Sequence, residues 1–456
     1  MAISFYGLAF AYLGLILTFY NLRNYFSLKT SALSILLLLL GTNALNYFAI
    51  DSAHTHGPLF FLYALLIYLS ISWHKNPTLF KSIGIGFVYG LMCTIRPTEI
   101  IAILIPVFWG LGSWEGLKTR IALSRMNSFG ILLSVLAFLI TPVIQMTYWK
   151  IVTGHFIFYS YVGQTFSWLH PHIIDVLLSY RKGWLIYTPI ALLFIIGLPF
   201  LYKKSPNLFY VVFLFFLVNL YIISSWDIWW YGGSLGQRAL VQSYALLVFP
   251  LAAFLHEASQ KTWSKIFLGI FCFFSILHNL SFHYKAHSSA PFEAEAMTAA
   301  FFKRSYFEFA PNPEFYKLLD TDFIFEGAIG ESNSIQFSKE KLTLSASDTK
   351  SNFKRLPLTD TKNYFRLNFS AQSPKTQNYF WNMPQLNITQ LDPYGKVLQS
   401  DFLRVHRFLL PSIEKQLYFD VKLNSNTKSL DIFLSNPNGI EVLEVSIQEG
   451  FTFNAK

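Results

Sequence analysis

Hydrophobic residues fall in long unbroken runs over the first 284 positions and in short alternations after position 323. A bilayer core needs about 20 apolar residues per helix. Ten segments meet that need: Ile3–Tyr20, Ser31–Ile50, Gly57–Trp73, Ser82–Ile95, Glu99–Ser113, Ser128–Tyr148, Gly183–Tyr202, Asn207–Ser224, Arg238–His256 and Trp263–His283. The fourth and fifth are short and read as a broken pair. From Phe323 onward the apolar period is two, over Ser334–Phe337, Leu342–Leu344, Tyr364–Phe369, Leu386–Leu391, Gln416–Val421, Leu430–Leu434 and Glu441–Ile447. Turn sequences such as Asp392-Pro-Tyr-Gly395 and Asn436-Pro-Asn-Gly439 separate these runs. The pattern predicts an α-helical polytopic membrane region over 1–284 and a β-sandwich of about seven strands over 323–456. Between them, 285–322 reads as a helical and irregular connector, with a helix over Ala290–Phe302.

Composition sharpens this division. The chain is 53% hydrophobic and 13% charged, against about 25% charged in ordinary soluble domains. Sixteen Lys and Arg and six acids precede Tyr284, so the whole net charge of +10 (16 − 6) lies in the membrane region. A basic excess there is a topology signal and excludes nucleic acid as the expected partner. Eleven cations fall in one set of loops, at Arg23/Lys29, Lys75/Lys81, Lys118/Arg120/Arg125, Lys203/Lys204 and Lys261/Lys265. The opposite loops hold Arg96, Lys150, Arg181, Lys182 and Arg238. The richer set is expected in the cytoplasm, which places Met1 and the C-terminal domain outside. Cys93 and Cys272 lie in apolar runs, with neither disulfide nor metal spacing. The start of the chain lacks the basic flank and cleavage site of a signal peptide.

The external loops carry the candidate chemistry. The first, Asp51-Ser-Ala-His-Thr-His56, offers one acid and two histidines, or simply a helix cap at Asp51 or Ser52. His54 and His56 do not share a helix face, so no metal is expected there, although a divalent cation stays open as a cofactor. Arg96-Pro97-Thr98-Glu99 breaks a span and sets an arginine at its edge, for an anion or for an Arg96–Glu99 pair. In the long third loop Tyr161 and Gln164 stand among aromatics, and Arg181, Lys182 and Tyr187 close it. Aromatics mixed with Gln, His and adjacent cations suit a sugar and a phosphate. Asp175 belongs to an amphipathic stretch, His172–Tyr180, suited to the membrane surface. The fourth loop, from Ser225 to Arg238, gathers Trp226, Trp229 and Trp230 with Asp227 and a glycine run. Aromatic faces stack on sugar rings, and glycines let backbone approach a ligand.

On Asp51–Phe61, Arg96-Pro97-Thr98, Arg181–Pro189 and Trp226–Arg238 the chain resembles the GT-C superfamily of polyprenyl-phosphate-sugar-dependent glycosyltransferases. The bacterial protein O-mannosyltransferase and aminoarabinose-transferase relatives are the members meant. The resemblance covers roughly Met1 to Tyr284. It implies an inner-membrane, multi-pass GT-C-like fold with an extracytoplasmic C-terminal domain. The implied donor is a polyprenyl-phosphate-linked sugar drawn from membrane lipid, and the acceptor an extracytoplasmic glycan, lipid or protein. Asp51 and then Asp227 are the candidate catalytic acids. His54, His56, Arg96, Tyr161, Gln164, Arg181, Lys182, Tyr187, Trp226, Trp229, Trp230 and Arg238 are the candidate substrate contacts. That superfamily places an acid in the first external loop, near the catalytic base, and this chain begins beyond that loop. The expectation is therefore a truncated or inactive transferase lacking a leading helix and loop. Two other readings stand beside it: a lipid-glycan transporter or flippase, and a non-catalytic membrane subunit that docks partners through its C-terminal domain.

Overall fold

The computed structural model describes residues 2–456 except 162, 259, 261, 336–339, 346–347, 352–353, 359–361, 376–378 and 437–441. The readings at Met1, Lys261, Gln336–Phe337, the turn residues 437–439 and Glu441 therefore lie outside the described residues. The chain divides into two compact units, Met1–Ser288 and Ser289–Lys456.

The first unit is helical. Its elements are α1 (Ala2–Arg23), α2 (Leu28–Gly41), α3 (His56–Lys75), α4 (Leu79–Ile95), α5 (Leu104–Phe108), α6 (Trp114–Met126), α7 (Ser128–Thr153), α8 (Ile173–Leu178), α9 (Trp184–Tyr187), α10 (Leu192–Lys204), α11 (Pro206–Ser225), α12 (Tyr244–Ala258) and α13 (Thr262–Ala286). Six segments are long and apolar enough to cross a membrane: α1, α3, α7, α11, the stretch Arg238–Ala258, and α13. These mark a multi-pass membrane protein.

The other four expected spans are short or interrupted. α2 ends at Gly41, where Thr42 turns extended, and a π-helical turn follows over Asn46–Ile50. α4 stops at Ile95 because Arg96 is extended and Pro97 opens a 3-10 turn, Pro97–Ile103. That turn leads into the single turn of α5. Thr188 and Pro189 likewise separate α9 from α10.

Small residues set the helix spacing. Gly7, Ala11, Gly14 and Thr18 form the buried stripe of α1, and a Cβ on Gly57 of α3 would come within 2.6 Å of the Gly7 carbonyl oxygen. On α4 a Cβ at Gly86 would meet the Ser134 carbonyl of α7 at 1.8 Å. Backbones approach this closely in membranes because lipid gives helices no hydrophobic reason to associate, leaving contact area to do so.

The second unit opens with α14 (Ala299–Ser305), which Thr298 caps by accepting from the Phe301 amide at 3.2 Å. The helix expected over Ala290–Phe302 is thus confined to its end, since Thr298 starts a new turn there. Nine strands follow among the described residues: β1 (Ile329–Ile335), β2 (Glu340–Leu344), β3 (Lys354–Pro357), β4 (Tyr364–Gln372), β5 (Gln385–Leu391), β6 (Val397–Arg404), β7 (Lys415–Lys422), β8 (Ser429–Ser435) and β9 (Leu443–Ala455). One antiparallel sheet runs β1-β9-β4-β7 with β2 also on β9, and the other runs β3-β8-β5-β6. Phe365, Leu367 and Phe369 alternate inward from β4, as do Leu430, Ile432 and Leu434 from β8. Each such side chain contributes about 1.5–3 kcal/mol on burial.

Candidate functional site

The loop from Trp226 to Gln237 is the element on which the predicted residues gather. Its descent is anchored from several helices. Asn43 donates to the Leu235 carbonyl at 3.1 Å, and the Leu235 amide donates to the Tyr47 hydroxyl at 2.9 Å. Lys182 is 1% exposed and donates to the Ser234 carbonyl. Gly236 has φ of 58° and lies against Tyr187, whose Cβ would be 3.1 Å from a Cβ there. Tyr187 itself is buried and donates to the Tyr180 carbonyl at 2.6 Å. Lys182 and Tyr187 are therefore both buried in contacts that hold the loops.

Arginine and tryptophan pair at the rim. The Arg181 guanidinium lies 3.5 Å from the Trp230 ring centroid and 5.9 Å from that of Trp229. Trp229 also stacks on His172 at 6.0 Å. Tyr231 adopts φ of 54°, an unusual left-handed state for a non-glycine residue. Such strain costs about 1–3 kcal/mol and is concentrated at functional sites.

Arg96 and Arg238 are the cations whose fields reach this loop. Both charges act on His56 and on Tyr231, as do those of His54 on the first and Tyr161 on the second. Desolvation pushes the Tyr231 phenol up, against the pull of both arginines. Both arginines are only partly exposed, and neither guanidinium has a hydrogen-bond or ion-pair partner among the described residues. The Arg96–Glu99 pair expected from the sequence is not formed as a salt bridge. Glu99 is 3% exposed and takes the Tyr63 hydroxyl and, at 3.0 Å, the Gln242 amide.

Beside them Asp51 and His54 form a half-exposed pair, Oδ2 to Nε2 2.9 Å. The cap alternative for this loop fails: Ser52 donates to the Ser4 carbonyl, and α3 starts with Thr55 and no side-chain cap. His56 is 1% exposed, with Nδ1 3.1 Å from Gln242 Oε1. Because Gln242 gives its amide protons to Glu99, its oxygen must accept from His56. The chain Tyr63, Glu99, Gln242, His56 thus fixes the His56 tautomer and leaves Nε2 as its second nitrogen.

Asp227 occupies a different environment from Asp51. It accepts from the Thr165 amide at 2.9 Å, the Thr165 hydroxyl at 2.6 Å and the Ser167 hydroxyl at 2.6 Å. Those hydrogen bonds hold its carboxyl below the usual range. It closes the third loop onto the fourth, next to the Phe166–Trp226 bridge. Tyr161 packs edge-on against Trp226 at 5.4 Å, and the Gln164 carbonyl accepts from Tyr159. Asp175 pairs with His172 at 3.1 Å beside α8, on which Ile174 and Leu178 are exposed.

Gln242, Tyr63, Tyr231, Asn43, Thr165 and Ser167 were missed by sequence reasoning. Gln242 left one trace, a polar residue four positions after Arg238 at the mouth of a span. Among the described residues no three His, Cys, Asp or Glu side chains gather as a metal-ligand set.

No family model and no curated protein matches the chain. Among solved structures it is similar to the arabinosyltransferase EmbB from Mycobacterium smegmatis, at 10% identity and a TM-score of 0.35. That alignment covers 97% of this chain and 57% of the other, so the chain spans little more than half the length of that protein.

Proposed function

We propose that the chain is a membrane glycosyltransferase that moves a sugar from a polyprenyl-phosphate donor to a hydroxyl of an extracytoplasmic acceptor. The observation that carries this reading is that Arg96 and Arg238 are half-buried at span ends with neither in a salt bridge among the described residues, while Glu99 is taken up by Tyr63 and Gln242 and the Asp51–His54 pair stays half-exposed. Unpaired cations at a membrane edge suit a lipid phosphate, and guanidinium binds phosphate oxygens in a fixed geometry.

In the proposed step the acceptor oxygen attacks the anomeric carbon as the bond from that carbon to the phosphate oxygen breaks. The leaving oxygen keeps the bonding pair, and Arg96 and Arg238 stabilise its charge. The acceptor proton passes to the Asp51–His54 pair, with Asp51 as base. Trp226, Trp230 and Tyr161 supply apolar faces for the sugar ring, and Lys182, Tyr187, Trp229 and Asp227 position the loops. A phosphate is already a good leaving group, so no general acid is required.

The test uses the full chain in lipid nanodiscs with polyprenyl phosphate as ligand. Arg96→Ala and Arg238→Ala should each weaken binding about 10- to 100-fold, the range for a hydrogen bond to a charged group. Asp51→Asn should leave binding near wild type and lower sugar transfer about 100-fold or more. Unchanged phosphate binding in both arginine variants overturns the reading.

A further inference from the structure

Helix α6 lies away from the site just described. The 18 residue steps of α3 from His56 to His74 (74 − 56) span about 27 Å, close to the thickness of a bilayer core of about 30 Å. His74 donates to the Pro106 carbonyl at 2.9 Å and touches Arg120 of α6. So α6 stands at the end of the helices opposite His56.

No residue of α6 is buried, although Trp114 is 68% and Ile121 45% exposed. These two are seven residues apart and share a face. Lys118 and Arg125, also seven apart, run along its margin. Lys118 pairs with Glu115 at 2.9 Å, whereas the exposed Arg125 guanidinium has no partner among the described residues. An apolar stripe containing tryptophan and edged by cations is the pattern of a helix lying in a membrane interface.

Between α5, α6 and the start of α7 an open cavity of about 500 Å³ has an apolar wall including Phe108, Leu117 and Ile131. Ser124, Arg125 and Ser128 line it as well. A second cavity, about 520 Å³, shares Phe108 and Leu117 and extends past Trp114 toward α11. The cleft is continuous with α7, of which only 17% is buried.

We propose that this cleft binds a phospholipid with an acidic headgroup. The acyl chains occupy the two cavities on either side of Phe108 and Leu117, and the headgroup meets Arg125 and the two serine hydroxyls. The occupant is a lipid because the cavities are apolar, doubled and open beside a lipid-facing span. It is acidic because the available side chain is an unpaired cation. The site is independent of the glycosyl-transfer reading.

The experiment places a fluorophore on Ala122→Cys, in a full-length background carrying Cys93→Ala and Cys272→Ala, in nanodiscs containing brominated phosphatidylglycerol or brominated phosphatidylcholine. The expected result is quenching by the acidic lipid at about one-fifth of the mole fraction needed with the neutral one, the enrichment that one cation at the membrane surface confers. Arg125→Gln should abolish that preference while quenching by the neutral lipid persists. Lys118→Gln, whose ammonium is already paired, should retain it. Equal quenching by both lipids in wild type means an ordinary boundary contact and overturns the proposal. Absence of quenching by either lipid overturns it too, since α6 would then not lie against the membrane. Retention of phosphatidylglycerol through purification, read by native mass spectrometry and lost in Arg125→Gln, is the second measurement.

Discussion

Asp227 accepts two hydrogen bonds from Thr165, one from its backbone amide at 2.9 Å and one from its hydroxyl at 2.6 Å. The carboxylate is therefore the tie between the third and fourth loops. Its pKa is depressed in the folded state by Ser167 and Thr165. Such a group stabilises above the unfolded value of about 3.9 and loses that contribution as pH falls through the lower folded value. Protease protection of 163–172 should accordingly hold down to pH of about 4 and fail below it in wild type. Asp227→Ala should remove it at neutral pH, as read by limited proteolysis. Protection unchanged in the variant would show that the tie is dispensable.

The buried chain through Gln242 makes a second prediction. Gln242 bridges His56 at 3.1 Å and Glu99 at 3.0 Å. Gln242→Leu leaves a buried donor and a buried acceptor unmade, each worth about 1–3 kcal/mol. Gln242→Glu keeps an acceptor for His56 but sets two carboxyls together. Both variants should unfold more readily than wild type in detergent, and Gln242→Leu should also weaken phosphate binding by misplacing His56. A binding constant that moves while thermal stability stays fixed would argue that Gln242 contacts the ligand itself.

Orientation is a separate expectation. If the cation-rich loops are cytoplasmic, Ser289→Cys should react with an impermeant thiol reagent added to intact cells, and Ser205→Cys should react only after permeabilisation. The opposite pattern would put Asp51 and Arg238 in the cytoplasm and remove a periplasmic acceptor.

How far the sequence could be read follows from which interactions are periodic. Unbroken apolar runs gave α1, α3, α7, α11 and α13, because a helix inside a bilayer is apolar both toward its neighbours and toward lipid. The broken helices were harder. The Thr42-Asn43 interruption carries no proline, and it persists because Asn279 donates to the Thr42 and Leu40 carbonyls from a helix over two hundred residues later. β3 and β6 were missed, and both are edge strands: β3 is four residues ending at Pro357, and Gln399, Ser400 and Asp401 break the apolar pattern of β6. Arg96, Arg238 and Asp51 were visible as costly charges near span ends. Gln242 and Tyr63 were not, since one neutral polar residue inside an apolar run gains meaning only from its partners across the bundle.

The glycine seam between α4 and α7 should be far less tolerant than glycines facing lipid. A Cβ at Gly86 would sit 1.8 Å from a backbone oxygen of Ser134, and one at Gly90 would sit 2.5 Å from that of Phe138. Neither oxygen can rotate away, so Gly86→Ala must part the helices. Gly269 in α13 has nothing within 4 Å, and Gly269→Ala should stabilise by up to about 1 kcal/mol through helix propensity. Thermal unfolding in one detergent should rank Gly269→Ala at or above wild type, with Gly86→Ala clearly below.

In the β-sandwich, Arg366 and Asp420 face each other across β4 and β7 and join through two hydrogen bonds, 2.6 and 2.8 Å. The Asp420 side chain is 1% exposed and that of Arg366 18%. The guanidinium also lies 4.4 Å from the Tyr418 ring centroid. Removing one partner strands a desolvated charge, so Asp420→Ala and Arg366→Ala should each cost about 3–5 kcal/mol, the range for breaking a buried pair. Replacing both by apolar residues, Arg366→Met with Asp420→Leu, removes the stranded charge along with the pair. The double variant should therefore lose much less than the sum of the single losses, a coupling that marks direct contact. Hydrogen exchange of the β4 and β7 amides in the full-length protein reads this without requiring the two units to unfold together. Additive losses in the cycle would mean that each side chain draws its stability from other neighbours, Tyr418 foremost.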